Sequence, residues 1–310
     1  MPIYALHENP EWFPPFAAAF DAAGIEYEEW LLTSGLIDLD TAPPEGIYWN
    51  RLSASSHTRA HVWSKDYTRA VLDWLEGHGR RVVNGRSVVE MEVSKVRQLT
   101  ALKAFGIDVP RTVAVVGKED LIAAAATMPV PFITKHNQGG KGLGVQRFND
   151  LDSFRAYAAS ELFEEPVDGI TLLQEYVEPH DGFITRVETV GYEYIYAISA
   201  DAARGGFQLC PADACEMDNN GRPIEAPSLF ALREGFQHPI IDVFLGFAQK
   251  HHLEIAGFEF IEAADGRLLT YDVNTNTNYN PDVEAVAPRS GPAEIVKYLQ
   301  RVQAEVYALC

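Results

Sequence analysis

The sequence predicts an α/β first domain followed by a longer α+β region, and three observations carry that reading. Short apolar runs alternate with helix-period segments as far as position 93. Four glycines, Gly139, Gly140, Gly142 and Gly144, lie between two β-like runs. The last third strings β-rich runs together around Gly191 and the Asp265-Gly266 turn.

The elements follow in order. Residues 3–6 (IYAL) form an apolar strand-like run, closed by the turn His7-Glu8-Asn9-Pro10 and followed by a helical pattern that ends at Gly24. IEYEEWLL and GIYWN read as strands. The second ends at Trp49, and a polar loop of Asn50, Arg51, Ser53, Ser55, Ser56 and His57 follows it, at the carboxyl end of a strand where open parallel sheets place binding groups. Trp63 to His78 has helical spacing and RRVVN is a short strand, which completes a βαβ-type unit over 1–93. Glu90 to Phe105 is expected as one helix closed by Gly106. A proline-initiated strand (IDVPRTVAVV) and a helix from Glu119 to Thr127 come next. VPFITKHNQGGKGLGVQRFND then reads strand, glycine loop, strand: a hairpin, since no helix follows the glycines. A helix (Leu151 to Ala159), the strand TLLQEYV, and two β-rich runs joined at Gly191 lead to a helix from Pro239 to His251. The strands AGFEFIEA and RLLTYDVN and a closing helix from Pro292 end the chain.

Composition narrows the class. The 310 residues carry 25 Lys+Arg against 44 Asp+Glu, a formal charge of −19, which opposes the electrostatics that nucleic-acid binding depends on. A 47% hydrophobic content excludes disorder as the main state. The start lacks a basic-then-apolar leader, and no stretch approaches the ~18 apolar residues of a membrane span. A soluble cytoplasmic protein is expected, with no membrane and no nucleic-acid partner. Cys210, Cys215 and Cys310 fit neither a disulfide framework nor a zinc site and read as reduced thiols.

Three constellations carry chemistry. The first is the glycine loop with Lys135 and Lys141: backbone amides approach phosphate oxygens closely where Cβ atoms are absent, although a flexible surface hairpin would have the same composition. It matches neither a Walker A loop nor a dinucleotide-binding turn. The second is Glu259 with Asp272 and Asn274, on two strands joined by a turn, where two carboxylates and an amide oxygen can converge on one face as oxygen ligands for Mg²⁺. Carboxylates within such apolar runs would be costly to bury unpaired. The third is the strand end Gln174-Glu175-Tyr176-Val177-Glu178, an apolar stretch closing in polar edges.

Taken in order, these pieces resemble the ATP-grasp superfamily, and within it the RimK-like carboxylate–amine ligases. The matching elements are Lys95 in VSKVRQLTAL, the KHNQGGKGLGV loop, QEYVE, the arginine of GFITRVETVG, and AGFEFIEA followed by YDVNTN. The resemblance implies an α/β domain over 1–93 and two α+β subdomains, 94–177 and 178–310, that grip ATP. It makes Lys95, Lys135 and Lys141 phosphate-contacting lysines and Gly139 to Gly144 a mobile lid. Gln174, Glu175, Tyr176 and Val177 would border adenine, with Glu178 near the ribose. Arg186 would face the transferred phosphoryl group, and Glu259, Asp272 and Asn274 would hold two Mg²⁺ ions, with Mn²⁺ as an alternative. The chain departs from the family where Glu259 and Asp272 exchange the more usual Asp and Glu, and where Asn276, Asn278 and Asn280 replace a small-residue and glycine turn. The asparagines suggest an altered acceptor pocket, with Asn276 in it.

The activity implied is γ-phosphoryl transfer to a substrate carboxylate, then attack of an amine on the acylphosphate, releasing ADP and phosphate. A phosphotransferase that stops at a stable ester, and a nucleotide-binding protein without turnover, are the alternatives. The partners would be a small-molecule or peptide carboxylate and an amine, with homo-oligomerisation left open. Arg51 is expected as a bidentate carboxylate clamp and Arg204 as a second substrate contact.

Overall fold

The computed structural model describes residues 2–140, 142, 144–206 and 228–308, and in it the chain builds three sheets. The first comprises β1 (Ile3–His7), β2 (Tyr27–Leu31), β3 (Ile47–Asn50) and β4 (Arg81–Val83), all parallel in the order β2-β1-β3-β4. Every residue of β1 and β3 is buried, which is why these strands read as unbroken apolar runs. Helices α1 (Pro14–Ala23) and α2 (Ser64–Gly77) connect them.

The single helix expected over Glu90–Phe105 is two, α3 (Arg86–Glu92) and α4 (Lys95–Phe105). The break has a local cause: Ser94 is extended, with φ −142° and ψ 106°, and its hydroxyl caps α4 by accepting from the Arg97 amide. Lys95 therefore sits at the first position of a helix, not in the middle of one.

The middle sheet is antiparallel, with β5 (Thr112–Val116), β6 (Phe132–His136), β7 (Gln146–Phe148) and β8 (Ile170–Glu175) in the order β5-β8-β6-β7. The short helix α5 (Leu121–Ala125) and α6 (Leu151–Ala158) pack on it, and Phe132, Phe148, Phe154 and Leu173 anchor its own core. The glycine loop joins β6 to β7, as the hairpin reading expects.

The third sheet, also antiparallel, runs β11-β10-β9-β12-β13. Its strands are β9 (Phe183–Val190), β10 (Glu193–Asp201), β11 (Phe230–Leu232), β12 (Ile255–Glu262) and β13 (Leu268–Asn274). The turn between β9 and β10 places both Gly191 and Tyr192 at positive φ, 59° and 65°, the signature of a tight two-residue hairpin. A Cβ on Gly191 would lie 2.5 Å from the Tyr298 ring, so glycine is required there. The remaining helices are α7 (Ala202–Gly205), α8 (Ile240–His251), α9 (Pro281–Glu284) and α10 (Gly291–Tyr307).

The first and third sheets share a core. Phe16 and Trp49 belong to the same buried cluster as Val190, Ile255, Ile295 and Leu299, with α10 lying between the layers. Asn84 bonds this seam: its Nδ2 donates to the carbonyls of Ile255 (2.8 Å) and Thr275 (3.2 Å), and its Oδ1 accepts from the Glu254 amide (2.9 Å). The Glu254 carboxylate in turn pairs with Arg81 and accepts from Tyr298. No described helix is long and apolar enough to cross a membrane.

Candidate active site

Strand register assembles the charged centre. Glu259 on β12 lies opposite Asp272 on β13 and opposite Arg186 on β9, so three charged residues stand in one row across three adjacent strands. The β12–β13 register slips after this pair, from Glu259↔Asp272 to Phe260↔Thr270. Tyr271 is the extra residue of the resulting bulge, and both Tyr271 and Asp272 reach the cavity.

Arg186 is buried between two carboxylates. Its Nε donates to Glu188 Oε1 (2.5 Å) and its Nη1 to Glu259 Oε1 (3.2 Å). Asn274 Nδ2 donates to the same Glu259 oxygen at 3.0 Å. Burial works against the guanidinium charge, but Glu188 and Glu259 outweigh it and raise the Arg186 pKa. The guanidinium occupies the space over Gly257, where a Cβ would stand 2.6 Å from Nε, so a side chain at 257 would evict it.

The lysines approach from the other walls. Lys95 Nζ, at the start of α4, donates to Asp272 Oδ1 at 2.6 Å. Lys135, on β6, is buried with its Nζ 5.0 Å from the Tyr271 ring centre. Burial first, and then the Lys95 charge, lower its pKa to about 8. Burial pushes the Asp272 carboxyl up, but Lys95 and Lys135 outweigh it and hold it below the usual carboxylate range.

These groups face a cavity of about 330 Å³ between the middle and third sheets. Gly139, Gly140 and Gly142 line it from the loop, and Gln174, Glu175, Tyr176 and Val177 from the end of β8. Ile133, Pro110 and Ile261 make that end apolar, and Gln174 Nε2 donates to Thr112 Oγ1 at 2.8 Å. The loop is fastened at its root: Asn137 accepts on its carbonyl from the Lys95 amide (3.1 Å) and on Oδ1 from the Val96 amide (2.8 Å), and its Nδ2 donates to Asp168 (2.7 Å).

Several expectations need correction. Arg51 does not line the cavity. Only 2% exposed, it lies over Phe16 with 4.0 Å to the ring centre, and its Nη2 donates to the Thr277 carbonyl and to Asn278 Oδ1, both at 3.2 Å. The segment after β13 covers that end of the first sheet and turns a clamp position into an internal brace. Glu178 is exposed, lies outside the lining and faces Arg147 at 3.9 Å. Gly144 lies outside the lining as well. Arg204, on α7, faces Asp201 at 3.7 Å, while its neighbours Ala202 and Gly206 reach the cavity and it does not. Lys141, Cys210, Cys215 and Cys310 lie outside the described residues.

Asn276 does line the cavity, and its Oδ1 is buried without a hydrogen-bond partner. Ser53 and Ser55 of the polar loop after β3 join it on the first-domain side, with Glu92 and Trp12, which were not singled out as site candidates. Ser53 and Ser55 share a hydrogen bond of 2.9 Å. The half-buried Glu92 carboxylate accepts from the amides of Ala54 (3.1 Å) and Thr275 (2.8 Å). Trp12 stacks on Arg59, whose Nη2 pairs with the buried Glu8 at 2.5 Å. Glu188 was legible in the R-x-E spacing of β9, since period two puts it on the same face as Arg186.

A divalent cation fits the donor chemistry at Glu259 and Asp272. Both are carboxylates facing one another in register, with the Asn274 amide beside them, and oxygen-only donors suit Mg²⁺. Among the described residues no cluster of three or more His, Cys, Asp or Glu side chains could hold a metal. A cation here would need ligand oxygens from outside the protein.

No family model matches the chain. It is 26% identical over 239 residues to a probable alpha-L-glutamate ligase of Xanthomonas oryzae pv. oryzae, covering 76% of this chain and 74% of that protein. Among solved structures it superposes on the D-cycloserine synthetase DcsG with a TM-score of 0.69, at 20% identity over 97% of this chain and 99% of that one. It also superposes on the ATP-grasp ligase PsnB, solved with a minimal precursor, Mg and ADP, with a TM-score of 0.64 at 16% identity, covering 96% of each chain. Three sheets in this arrangement, with a glycine-loop hairpin beside a row of Arg186, Glu259 and Asp272, give the chain the fold of the ATP-grasp ligases on which it superposes.

Proposed function

We propose that the protein is an ATP-dependent carboxylate–amine ligase that forms an amide or peptide bond through an acylphosphate and releases ADP and phosphate. The observation that carries this reading is the convergence of Lys95, Lys135 and Arg186 with Glu259 and Asp272 on one cavity beneath a glycine loop. Phosphoryl transfer needs positioning and charge neutralisation more than a nucleophilic side chain, and this is what the site supplies.

The apolar end bounded by Ile133, Tyr176 and Val177 would take the adenine, with the Gln174 side chain and backbone groups of β8 at its edge. Lys135 and Lys95 would hold phosphate oxygens, and the loop glycines would offer their amides. Glu259, Asp272 and Asn274 would hold Mg²⁺, one ion or two, which when bound would neutralise phosphate charge. Arg186 would stabilise the charge that spreads over the transferred group. The carboxylate and amine substrates would occupy the side lined by Ser53, Ser55, Glu92 and Asn276, where the unpartnered Asn276 oxygen accepts a hydrogen bond from the amine. The relative's name makes glutamate a first carboxylate or amine to test.

The experiment is ADP release over pools of carboxylates and amines, glutamate among them, with hydroxylamine as a surrogate amine. Carboxylate-dependent ADP release together with a hydroxamate supports ligation. ADP release with a stable phosphate ester and no hydroxamate would make the protein a phosphotransferase, and no turnover with any pool would refute the enzyme reading.

A further inference from the structure

We propose that Glu188 is a positioning residue which holds Arg186 in place for a terminal phosphoryl group, independently of Glu259. The inference rests on the ATP-site reading above and adds a residue to it.

Glu188 is 1% exposed and does not line the cavity, yet its Oε1 accepts from Arg186 Nε at 2.5 Å. Its other oxygen, Oε2, is buried without a hydrogen-bond partner, and so is Arg186 Nη2. A half-satisfied buried ion pair is a poor source of stability, because desolvating both charges costs about as much as their attraction returns. What such a pair supplies is orientation. The need for it follows from Glu259, which serves two charges. That carboxylate accepts from Arg186 Nη1 and is also a cation ligand in the proposed site. A cation on Glu259 competes for the arginine's cavity-side partner. Glu188, walled off from the cavity, keeps its grip on Nε whatever occupies Glu259. The guanidinium then stays over Gly257 with Nη1, freed from Glu259, available to phosphate oxygens.

The geometry also fixes how the arrangement can be broken from either side. Glu188→Gln removes the charge that pairs with Nε and keeps the volume. Gly257→Ala leaves both carboxylates intact but puts a methyl group 2.6 Å from where Nε stands.

The test is titration calorimetry of the full chain with Mg²⁺ and either AMP-PNP or ADP, which differ in the terminal phosphoryl group. Wild type should bind AMP-PNP more tightly than ADP, and Arg186→Ala should abolish that preference. Glu188→Gln and Gly257→Ala should each lower the preference at least fivefold while ADP affinity stays within twofold. A folded Glu188→Gln with the wild-type preference overturns the proposal, as does a parallel loss for both nucleotides, which marks a merely structural role. If Glu188→Gln does not fold, Glu188→Asp, which keeps the charge but shortens its reach to Nε, decides by the same two criteria. A wild type whose preference is insensitive to Arg186→Ala refutes the ATP-site reading itself, and the proposal with it.

Discussion

Replacing Arg51 by methionine separates a brace from a substrate clamp. The buried guanidinium gives two hydrogen bonds, to the Thr277 carbonyl and Asn278 Oδ1, and rests on the Phe16 ring. Charged donors contribute about 1.5–3 kcal/mol per bond, and a desolvated cation–π contact about 2 kcal/mol. Against them, burial lowers the Arg51 pKa to about 10, a cost of about 3 kcal/mol for keeping the charge. The balance is about 2–5 kcal/mol, of which methionine recovers part by filling the space over Phe16 and Trp49, leaving a loss of about 2 kcal/mol. With an unfolding entropy of about 2.1 cal/mol/K per residue, a chain of this length changes stability by about 0.65 kcal/mol per degree, so Tm should fall by about 3 °C. Differential scanning calorimetry of Arg51→Met beside wild type measures it, with AMP-PNP affinity expected within twofold of wild type. A Tm shift below about 1 °C combined with a raised KM for the carboxylate substrate would refute the brace and restore the clamp.

Lys135, with its pKa lowered to about 8 in the folded protein, gives a proton-linkage signature. Because the unfolded chain binds the extra proton between about pH 8 and 10.5, this lysine's contribution makes stability rise with pH across that window. Phosphate restores the charge, so AMP-PNP binding at pH 9 should take up close to one proton and at pH 7 almost none; calorimetry in buffers of different ionisation enthalpy reads this, and Lys135→Arg should abolish it. Asp272→Asn should weaken Mg-nucleotide binding at least tenfold and stop ADP release with an unchanged circular dichroism spectrum; wild-type turnover in that variant would remove the carboxylate from the site. Asn137→Ala should cost about 2–3 kcal/mol in denaturant unfolding and speed amide exchange at Val96, whose amide donates to the Asn137 side chain. Unchanged exchange there would show that the loop root does not hold α4.

Period-two alternation and a short turn were enough to suggest that Glu259 and Asp272 share a face but not to pair them: the register that leaves the turn, Glu262↔Leu268 to Phe260↔Thr270, would set Tyr271 opposite Glu259, and the bulge moves the pairing on to Asp272. The same logic did not reach the bulge at Tyr271, which depends on side-chain fit between strands. The break before Lys95 was written in the Ser94 cap, but helix-period residues on both sides concealed it. Arg51 shows a different limit. The rule that parallel sheets expose their carboxyl-end loops is sound, but whether another segment covers that end depends on contacts across 226 positions of chain, which no local pattern encodes. Glu92 and Glu8, half-buried and buried, were passed over for a related reason: each is a carboxylate satisfied by backbone amides or an arginine from a distant element.

The middle sheet leaves and rejoins the rest of the chain at neighbouring points. Thr112, where it begins, is the cross-strand partner of Gln174, near its end, and the two side chains hydrogen-bond at 2.8 Å. A module whose entry and exit lie side by side behaves as an inserted cassette. It can close its own core around Phe132 and Phe154 early in folding, with little chain entropy spent on bringing its ends together. It can also be exchanged for the equivalent piece of a relative without restretching the body, formed by the other two sheets, that carries Arg186 and Asp272. In such a chimera the nucleotide's base and its phosphates would be read by parts of different ancestry, joined through one pair of strands.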